Sequence, residues 1–134
     1  MSYILSKSKK FLDTAESLKD SPNTIGIPHA AYYSCLLLSK HKLNNSGEIK
    51  YEDLASKAAL AHTGSHELII REFAKYIRKS RSSSIDDRDY DNGIRALKAL
   101  REDADYENKP IDESTFKDCV NQAKELYNKI TKIK

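Results

Sequence analysis

The stretch HAAYYSCLLLSKHKL, residues 29–43, predicts the central helix of the fold. Its apolar side chains recur with helical spacing, yet they are too many for the single narrow stripe of a surface helix. The apolar positions are Ala30, Ala31, Tyr33, Leu36, Leu37 and Leu38. A helix that is apolar on more than one side packs against several neighbours, so we expect residues 29–43 to lie in the middle of a helical core.

Helical spacing also accounts for nearly all of the chain outside this stretch. The further predicted helices span 2–18, 63 or 65 to 77, 86 or 87 to 104, and 112 to the C-terminus, and a short additional helix is expected at 51–60. No segment alternates with the period of a strand, and there are only four glycines and three prolines. The connections are short, so we predict an all-α fold, an antiparallel bundle of about five helices in one domain over residues 1–134.

The composition is that of a globular protein with a polar surface. Of the 134 residues, 39% are apolar and 32% are charged. The longest strongly apolar run, residues 35–38, is far too short to cross a bilayer. The first residues, MSYILSKSKKFLDTAESL, place their lysines after their apolar residues, which does not match a signal peptide. We therefore expect a cytoplasmic protein without a membrane partner.

The cysteines and histidines predict neither a disulfide nor a metal site. Cys35 and Cys119 both fall at apolar helical positions, where a free cysteine behaves as a small buried side chain. His62 and His66 are four residues apart, a spacing that can bind zinc when further ligands are supplied. No third ligand and no Gly-rich phosphate loop is evident in the sequence. We expect no metal and no cofactor.

Basic residues are concentrated in one part of the chain, although the net charge is only +3. The range 71–88 contains only three acids, and its basic residues are Arg71, Lys75, Arg78, Lys79, Arg81 and Arg88. Such a patch can hold a phosphate backbone, and the RNA-binding residues predicted from it are Arg71, Arg78, Lys79 and Arg81. The alternative is a solvated helix face followed by a flexible loop.

A second charged cluster lies at the end of the fourth predicted helix, in LREDADYENKP, residues 100–110. Arg101 follows the apolar stripe of this helix, and Asp105 lies four residues later on the same face. Glu102 and Tyr106 add a carboxylate and a hydroxyl donor. These side chains form a candidate site beside the core. In the alternative interpretation, Arg101 and Asp105 are an ordinary surface ion pair.

Three segments of the chain resemble the HEPN superfamily. They are AAYYSCLLLSKHKL at 30–43, SHELIIREFAKYI at 65–77 and LKALREDADYENKPIDESTFKDCVNQAKELYNKI at 97–130. The R-x-x-ADY ending, residues 101–106, is similar to that of a small stand-alone branch of the superfamily. The resemblance implies a HEPN-like all-α bundle that dimerises and brings two arginine-bearing helix ends into one cleft. Many members are metal-independent ribonucleases of toxin–antitoxin and antiviral defence systems.

Transferred to this sequence, the superfamily motif assigns its arginine to Arg101 and its polar follower to Glu102. The motif histidine is expected at 106–108, where this chain has Tyr106, Glu107 and Asn108. Tyrosine, with a pKa near ~10, is a poor base at neutral pH, although its hydroxyl can orient a ribose 2′-hydroxyl or donate to a phosphate. The implied cleavage route is attack of a 2′-oxygen on phosphorus, with Arg101 stabilising the phosphorane and Tyr106 and an acidic neighbour positioning the hydroxyl.

The function implied by the resemblance is RNA binding by a homodimer of a toxin–antitoxin or antiviral defence system. Because the motif histidine is missing, the sequence does not decide whether the protein also cleaves RNA without a metal. The candidate catalytic residues are Arg101, Tyr106, Glu102 and Asp105. The alternative function is that of a non-catalytic module, which binds a nucleotide or a partner protein such as a nucleotidyltransferase antitoxin.

Overall fold

The computed structural model describes residues 3–22, 24–80, 84–106 and 111–133, and for Tyr106 only the backbone. In these ranges the chain forms six α-helices and no strand, which confirms the predicted all-α fold. The helices are α1 (Tyr3–Leu18), α2 (Ile27–Ser46), α3 (Leu54–Leu60), α4 (Ser65–Ser80), α5 (Asp87–Tyr106) and α6 (Glu113–Thr131). Single 3₁₀ turns, Thr24–Gly26 and Tyr51–Asp53, precede α2 and α3.

Helix α2 lies at the centre of the bundle, as its sequence predicted. It packs against α1, α4, α5 and α6, and its fully buried side chains include Tyr32, Leu36 and Leu38. The four neighbours explain why its apolar residues do not fit one stripe. They also cover its apolar surface within a single chain, so the predicted homodimer draws no support from that surface and rests on the resemblance.

The ends of α2 extend beyond the predicted range of 29–43. Pro28, expected in the preceding loop, lies in the first turn of the helix and is buried. Proline is tolerated there because the first backbone N–H groups of a helix have no intrahelical acceptor. At the other end the helix continues to Ser46, and Gly47 then adopts a left-handed conformation with φ 83°, which donates its N–H to the carbonyl of Asn44.

Aspartates begin the last two long helices, as predicted. Asp86 Oδ1 accepts a hydrogen bond of 2.7 Å from the backbone N–H of Asp89 in the first turn of α5. Asp112 Oδ1 accepts one of 2.9 Å from the backbone N–H of Thr115 in the first turn of α6. Each carboxylate satisfies a backbone donor that the helix itself cannot pair. Pro110, which could not continue the helix in its interior, lies outside the described residues.

Buried hydroxyl groups connect the helices through the core. The Tyr90 hydroxyl of α5 donates to Ser39 Oγ of α2 at 2.8 Å, and Ser39 in turn donates to the carbonyl of Cys35 at 2.9 Å. Ser8 of α1 and Tyr127 of α6 share a hydrogen bond of 3.0 Å. Burial without such partners would cost free energy, so these pairs fix how the helices pack.

Both cysteines are free and buried, which confirms the prediction for them. Cys35 lies on α2, and Cys119 lies on α6. Burial raises the pKa of each thiol to about 12, so neither is a thiolate near neutral pH. They act as small apolar side chains of the core.

Two glycine substitutions test the helix assignments. At Gly93, inside α5, an added Cβ would lie 3.5 Å from Leu126 Cδ2, an ordinary van der Waals contact. Gly93→Ala should therefore raise the free energy of unfolding by about 0.5–1 kcal/mol, because alanine favours the helix. Gly47→Ala should lower it by about 1–2 kcal/mol, because φ there is left-handed. Urea unfolding measures both, and shifts in the same direction would contradict the assignments.

Candidate functional site

Arg101 lies near the end of α5 with its guanidinium against two tyrosines of α2. The Cζ atom is 5.7 Å from the ring centroid of Tyr32 and 5.4 Å from that of Tyr33. The side chain is only 16% exposed. Cation–π contacts of this kind stabilise an arginine by about 0.5–2 kcal/mol and hold its planar group in one orientation. Arg101 is therefore a largely buried, positioned cation.

The hydrogen-bond donors of Arg101 lack acceptors in the part of the chain that the structure describes. Its Nε is buried and has no hydrogen-bond partner there. Asp105 Oδ2 lies 3.4 Å from Nε, which makes an ion pair of the predicted i,i+4 kind without hydrogen-bond geometry. An unpaired buried donor costs about 1–3 kcal/mol, and arginine cannot lose its charge to avoid that cost. Among the described residues, Nε is therefore an enclosed donor whose one charged neighbour is Asp105.

Five rings that contact one another form what we call the aromatic cluster, and two of them, Tyr32 and Tyr33, contact Arg101: Phe11, His29, Tyr32, Tyr33 and His66. Tyr33 is at its centre, with ring centroids 4.6 Å from His29, 5.8 Å from Phe11 and 5.4 Å from His66. Three helices, α1, α2 and α4, contribute the rings. His29 is exposed and Tyr33 is half-buried, so part of the cluster reaches the surface.

Within the cluster, His66 is hydrogen-bonded to a tyrosine whose hydroxyl stays protonated near neutral pH. Its Nδ1 shares a hydrogen bond of 3.2 Å with the hydroxyl of Tyr32, which is fully buried. Burial raises the pKa of Tyr32 well above its ordinary value. Burial, together with the charges of Arg101, Lys98 and Lys40, lowers the pKa of His66 below its ordinary 6.5. The imidazole is therefore neutral at pH 7, and no described residue bonds its Nε2.

An ion-pair network holds the start of α4 beside α5. Arg95 donates to both carboxylate oxygens of Glu67, at 2.8 and 2.9 Å, and its Nε donates to Asp91 at 2.9 Å. The hydrogen bond from Arg95 is the main cause that lowers the pKa of Glu67. A two-pronged contact of this type is geometrically specific. Because Glu67 follows His66 directly, the network also fixes the position of His66 near the end of α5.

The structure brings together only part of the candidate catalytic set. Arg101 and Asp105 are in contact, whereas Glu102 is exposed and forms no ion pair with a described residue. The side chain of Tyr106 lies outside the described part of the chain. Its predicted role stays a prediction.

Two of the predicted RNA-binding residues line one open depression between α4 and α5. Arg71 and Arg78 border this depression, whose volume is about 420 Å³. Arg78 lies twelve positions after His66 on α4, which corresponds to roughly 18 Å along the helix axis. The depression and the aromatic cluster therefore lie toward opposite ends of the α4–α5 pair.

Acidic side chains neutralise much of the predicted basic patch. Asp87 accepts two hydrogen bonds from Arg78, at 2.8 and 3.1 Å. Lys79 lies 3.5 Å from Glu48, away from the depression. Arg81 lies outside the described residues. The structure thus pairs charges that the sequence separates, and the patch is less positive than its composition indicates.

Sequence reasoning did not assign Tyr32, Tyr33 or His66 to the site. In the sequence, Tyr33 was an apolar position of the central helix, both tyrosines and His66 belonged to resembling segments, and His66 was otherwise considered only as a zinc ligand. No group of three or more histidine, cysteine or acidic side chains that could hold a metal occurs among the described residues. The signal for the site was topological, since consecutive antiparallel helices place the start of α4 beside the end of α5.

The chain matches no protein-family model, no curated protein and no solved structure. Within the described ranges, none of the helices has the length and apolar character needed to cross a membrane. The likeness to the HEPN superfamily therefore rests on the three segments quoted above, together with the all-α fold.

The neutral state of His66 predicts how stability depends on pH. Its pKa is lower folded than the 6.5 of an unfolded histidine, so the folded state binds fewer protons. Above pH 6.5, His66 is neutral in both states and its contribution to the free energy of unfolding is at its maximum. As the pH falls from 6.5 through the lower pKa of the folded state, this contribution is lost, because the unfolded state binds the proton more readily. The free energy of unfolding of the native protein, measured with urea, should therefore approach that of His66→Asn as the pH falls over this range. A difference that grows toward acid pH would contradict the neutral assignment.

Proposed function

We propose that the protein binds RNA and that Arg101 holds a backbone phosphate. The observation that carries the proposal is a largely buried guanidinium, held over the rings of Tyr32 and Tyr33, whose Nε has no hydrogen-bond acceptor among the described residues. A phosphate group supplies several anionic oxygens to the planar fork of an arginine. A bound phosphate would pair with the guanidinium, which forms no hydrogen bond with a described residue.

The rings beside Arg101 favour a nucleotide chain over a simple anion. RNA recognition combines phosphate contacts with stacking of unpaired bases on aromatic side chains. His29 is exposed and lies against the half-buried Tyr33, so these two rings offer an accessible face next to the guanidinium. The acids Glu102 and Asp105 near Arg101 disfavour a purely electrostatic interaction. We therefore assign the site to single-stranded RNA.

The resemblance to the HEPN superfamily supports the same function by an independent route. Its motif arginine corresponds to Arg101, and it implies an RNA-directed role in a toxin–antitoxin or antiviral defence system. A homodimer of the kind it implies would place two copies of Arg101 in one cleft and extend the surface available to RNA. The dimer is part of the proposal.

Arg101→Lys tests the site, because lysine keeps the positive charge but loses the planar fork. Its affinity for a short fluorescein-labelled single-stranded RNA of mixed sequence should fall about tenfold, the loss expected for one charge-assisted hydrogen bond. Fluorescence anisotropy at fixed salt measures the dissociation constant. Circular dichroism verifies that the helices persist.

Arg95→Lys is the matched control on the same helix. Arg95 already donates to Glu67 and Asp91, so it has no role in holding phosphate. This variant should lower the free energy of unfolding, because lysine cannot reproduce the two-pronged contact with Glu67, and should leave RNA affinity within about twofold of native, because the charge is kept. Equal affinity of the native and Arg101→Lys proteins would refute the proposed site, as would an absence of RNA binding by the native protein.

A further inference from the structure

We infer that His66 acts as the general base for cleavage of RNA bound at Arg101, and that Tyr32 orients its ring. The inference rests on the proposed function and assigns a reaction to the same site. It depends on the position of the His66 imidazole, which contacts the rings of Tyr32 and Tyr33, as the Arg101 guanidinium does. The residue lies on α4, outside the charged cluster at the end of α5.

The contacts place His66 and Arg101 on the same two rings. The His66 ring centroid is 5.7 Å from that of Tyr32 and 5.4 Å from that of Tyr33. The Arg101 Cζ atom lies at the same two distances from these centroids, 5.7 and 5.4 Å. The guanidinium is also close enough to the imidazole for its charge to lower the pKa of His66, so the two groups belong to one site. A general base acts within about 2.6–3.2 Å of the proton it removes, or through one water, so the inference requires the ribose 2′-hydroxyl to approach His66 to that distance in the complex.

The hydrogen bond to Tyr32 determines which nitrogen of His66 is available. With Nδ1 engaged by the buried hydroxyl, Nε2 is the atom that remains for a substrate. In the tautomer that serves as base, Nδ1–H donates to the Tyr32 oxygen and Nε2 carries the lone pair. The oxygen of Tyr32 can accept this bond both before and after Nε2 takes a proton, so the ring keeps its orientation through the reaction.

The surroundings of His66 keep it neutral, as a base must be. The titratable and charged groups around the imidazole are Tyr32, Tyr33 and Lys40 of α2, Lys98 and Arg101 of α5, and Glu67 of α4 itself. The three cations lower its pKa, in addition to the effect of burial. Glu67, the one acid of the set, is held by two hydrogen bonds from Arg95. A neutral base with a pKa below 6.5 is fully available at pH 7.

The reaction is an internal transesterification of the RNA chain. His66 Nε2 removes the proton of a ribose 2′-hydroxyl, and the 2′-oxygen bonds to the adjacent phosphorus. The bond from phosphorus to the 5′-oxygen of the next nucleotide breaks, and that oxygen takes a proton from water. The imidazolium returns its proton to the hydroxide so formed. The products are a 2′,3′-cyclic phosphate and a 5′-hydroxyl end, and Arg101 stabilises the charge on phosphorus throughout.

His66→Asn tests this assignment in the full-length protein. The asparagine side chain can keep a hydrogen bond to Tyr32 but has no titratable Nε2. Cleavage of the labelled single-stranded RNA in the presence of a chelator should fall about 100-fold, the lower range for loss of a general base. Affinity for the 2′-O-methyl analogue, which cannot be cleaved, should stay near native. Products are identified by the cyclic phosphate at the 3′ end.

His62→Asn provides a control that makes the same chemical change four residues earlier. His62 is exposed and has φ 55°, a left-handed conformation that asparagine tolerates well. This variant should cleave at the native rate. Cleavage by the native protein should also decline as the pH falls below 6.5, because His66 becomes protonated, and this acid limb should be missing from the residual activity of His66→Asn.

The outcomes separate this inference from the proposed function. If the native protein binds the 2′-O-methyl RNA but does not cleave RNA, or if His66→Asn cleaves at the native rate, the role of His66 is refuted while RNA binding at Arg101 stands. If the native protein does not bind the analogue, the proposed function fails, and the inference fails with it. A loss of affinity for the analogue in His66→Asn would show a binding role and refute the catalytic one.

Discussion

The contact of Tyr32 and Tyr33 with Arg101 is the interaction on which the candidate site depends. Both tyrosines lie on α2, the helix that four others surround, so their rings are fixed by the core itself. Arg101 is positioned because those rings are positioned. His66 meets the same rings from α4, and the Arg95–Glu67 ion pair holds that helix in place. The stability of the bundle and the geometry of the site thus have a common origin.

Arg101 is the charged group of the site whose hydrogen bonds are least satisfied by the described residues. Arg101 keeps its charge in a largely buried position, and the described residues give it an ion pair with Asp105 but no hydrogen-bond acceptor. Such an arrangement costs free energy in the unbound protein. Arg78 already donates two hydrogen bonds to Asp87, so the proposed phosphate is assigned to Arg101, whose guanidinium forms no hydrogen bond with a described residue.

The sequence predicted the helices well because their apolar spacing and aspartate caps are local signals. The extension of α2 over Pro28 was missed, since proline marks a loop or a first turn equally well. The candidate site was predicted only in part. Arg101 and Asp105 follow from helical spacing, whereas the approach of His66 to Tyr32 depends on how three helices pack. Likewise, the partner of Lys79, Glu48, lies far along the chain.

The most direct test follows the Arg101 guanidinium while RNA binds. The Nε–H resonance of each arginine can be observed by ¹⁵N NMR during titration with the 2′-O-methyl single-stranded RNA. If Arg101 holds phosphate, its resonance should shift and saturate with the dissociation constant measured by anisotropy, whereas the resonance of Arg95 should not move. An Arg101 resonance that stays unchanged at saturating RNA would contradict the central claim.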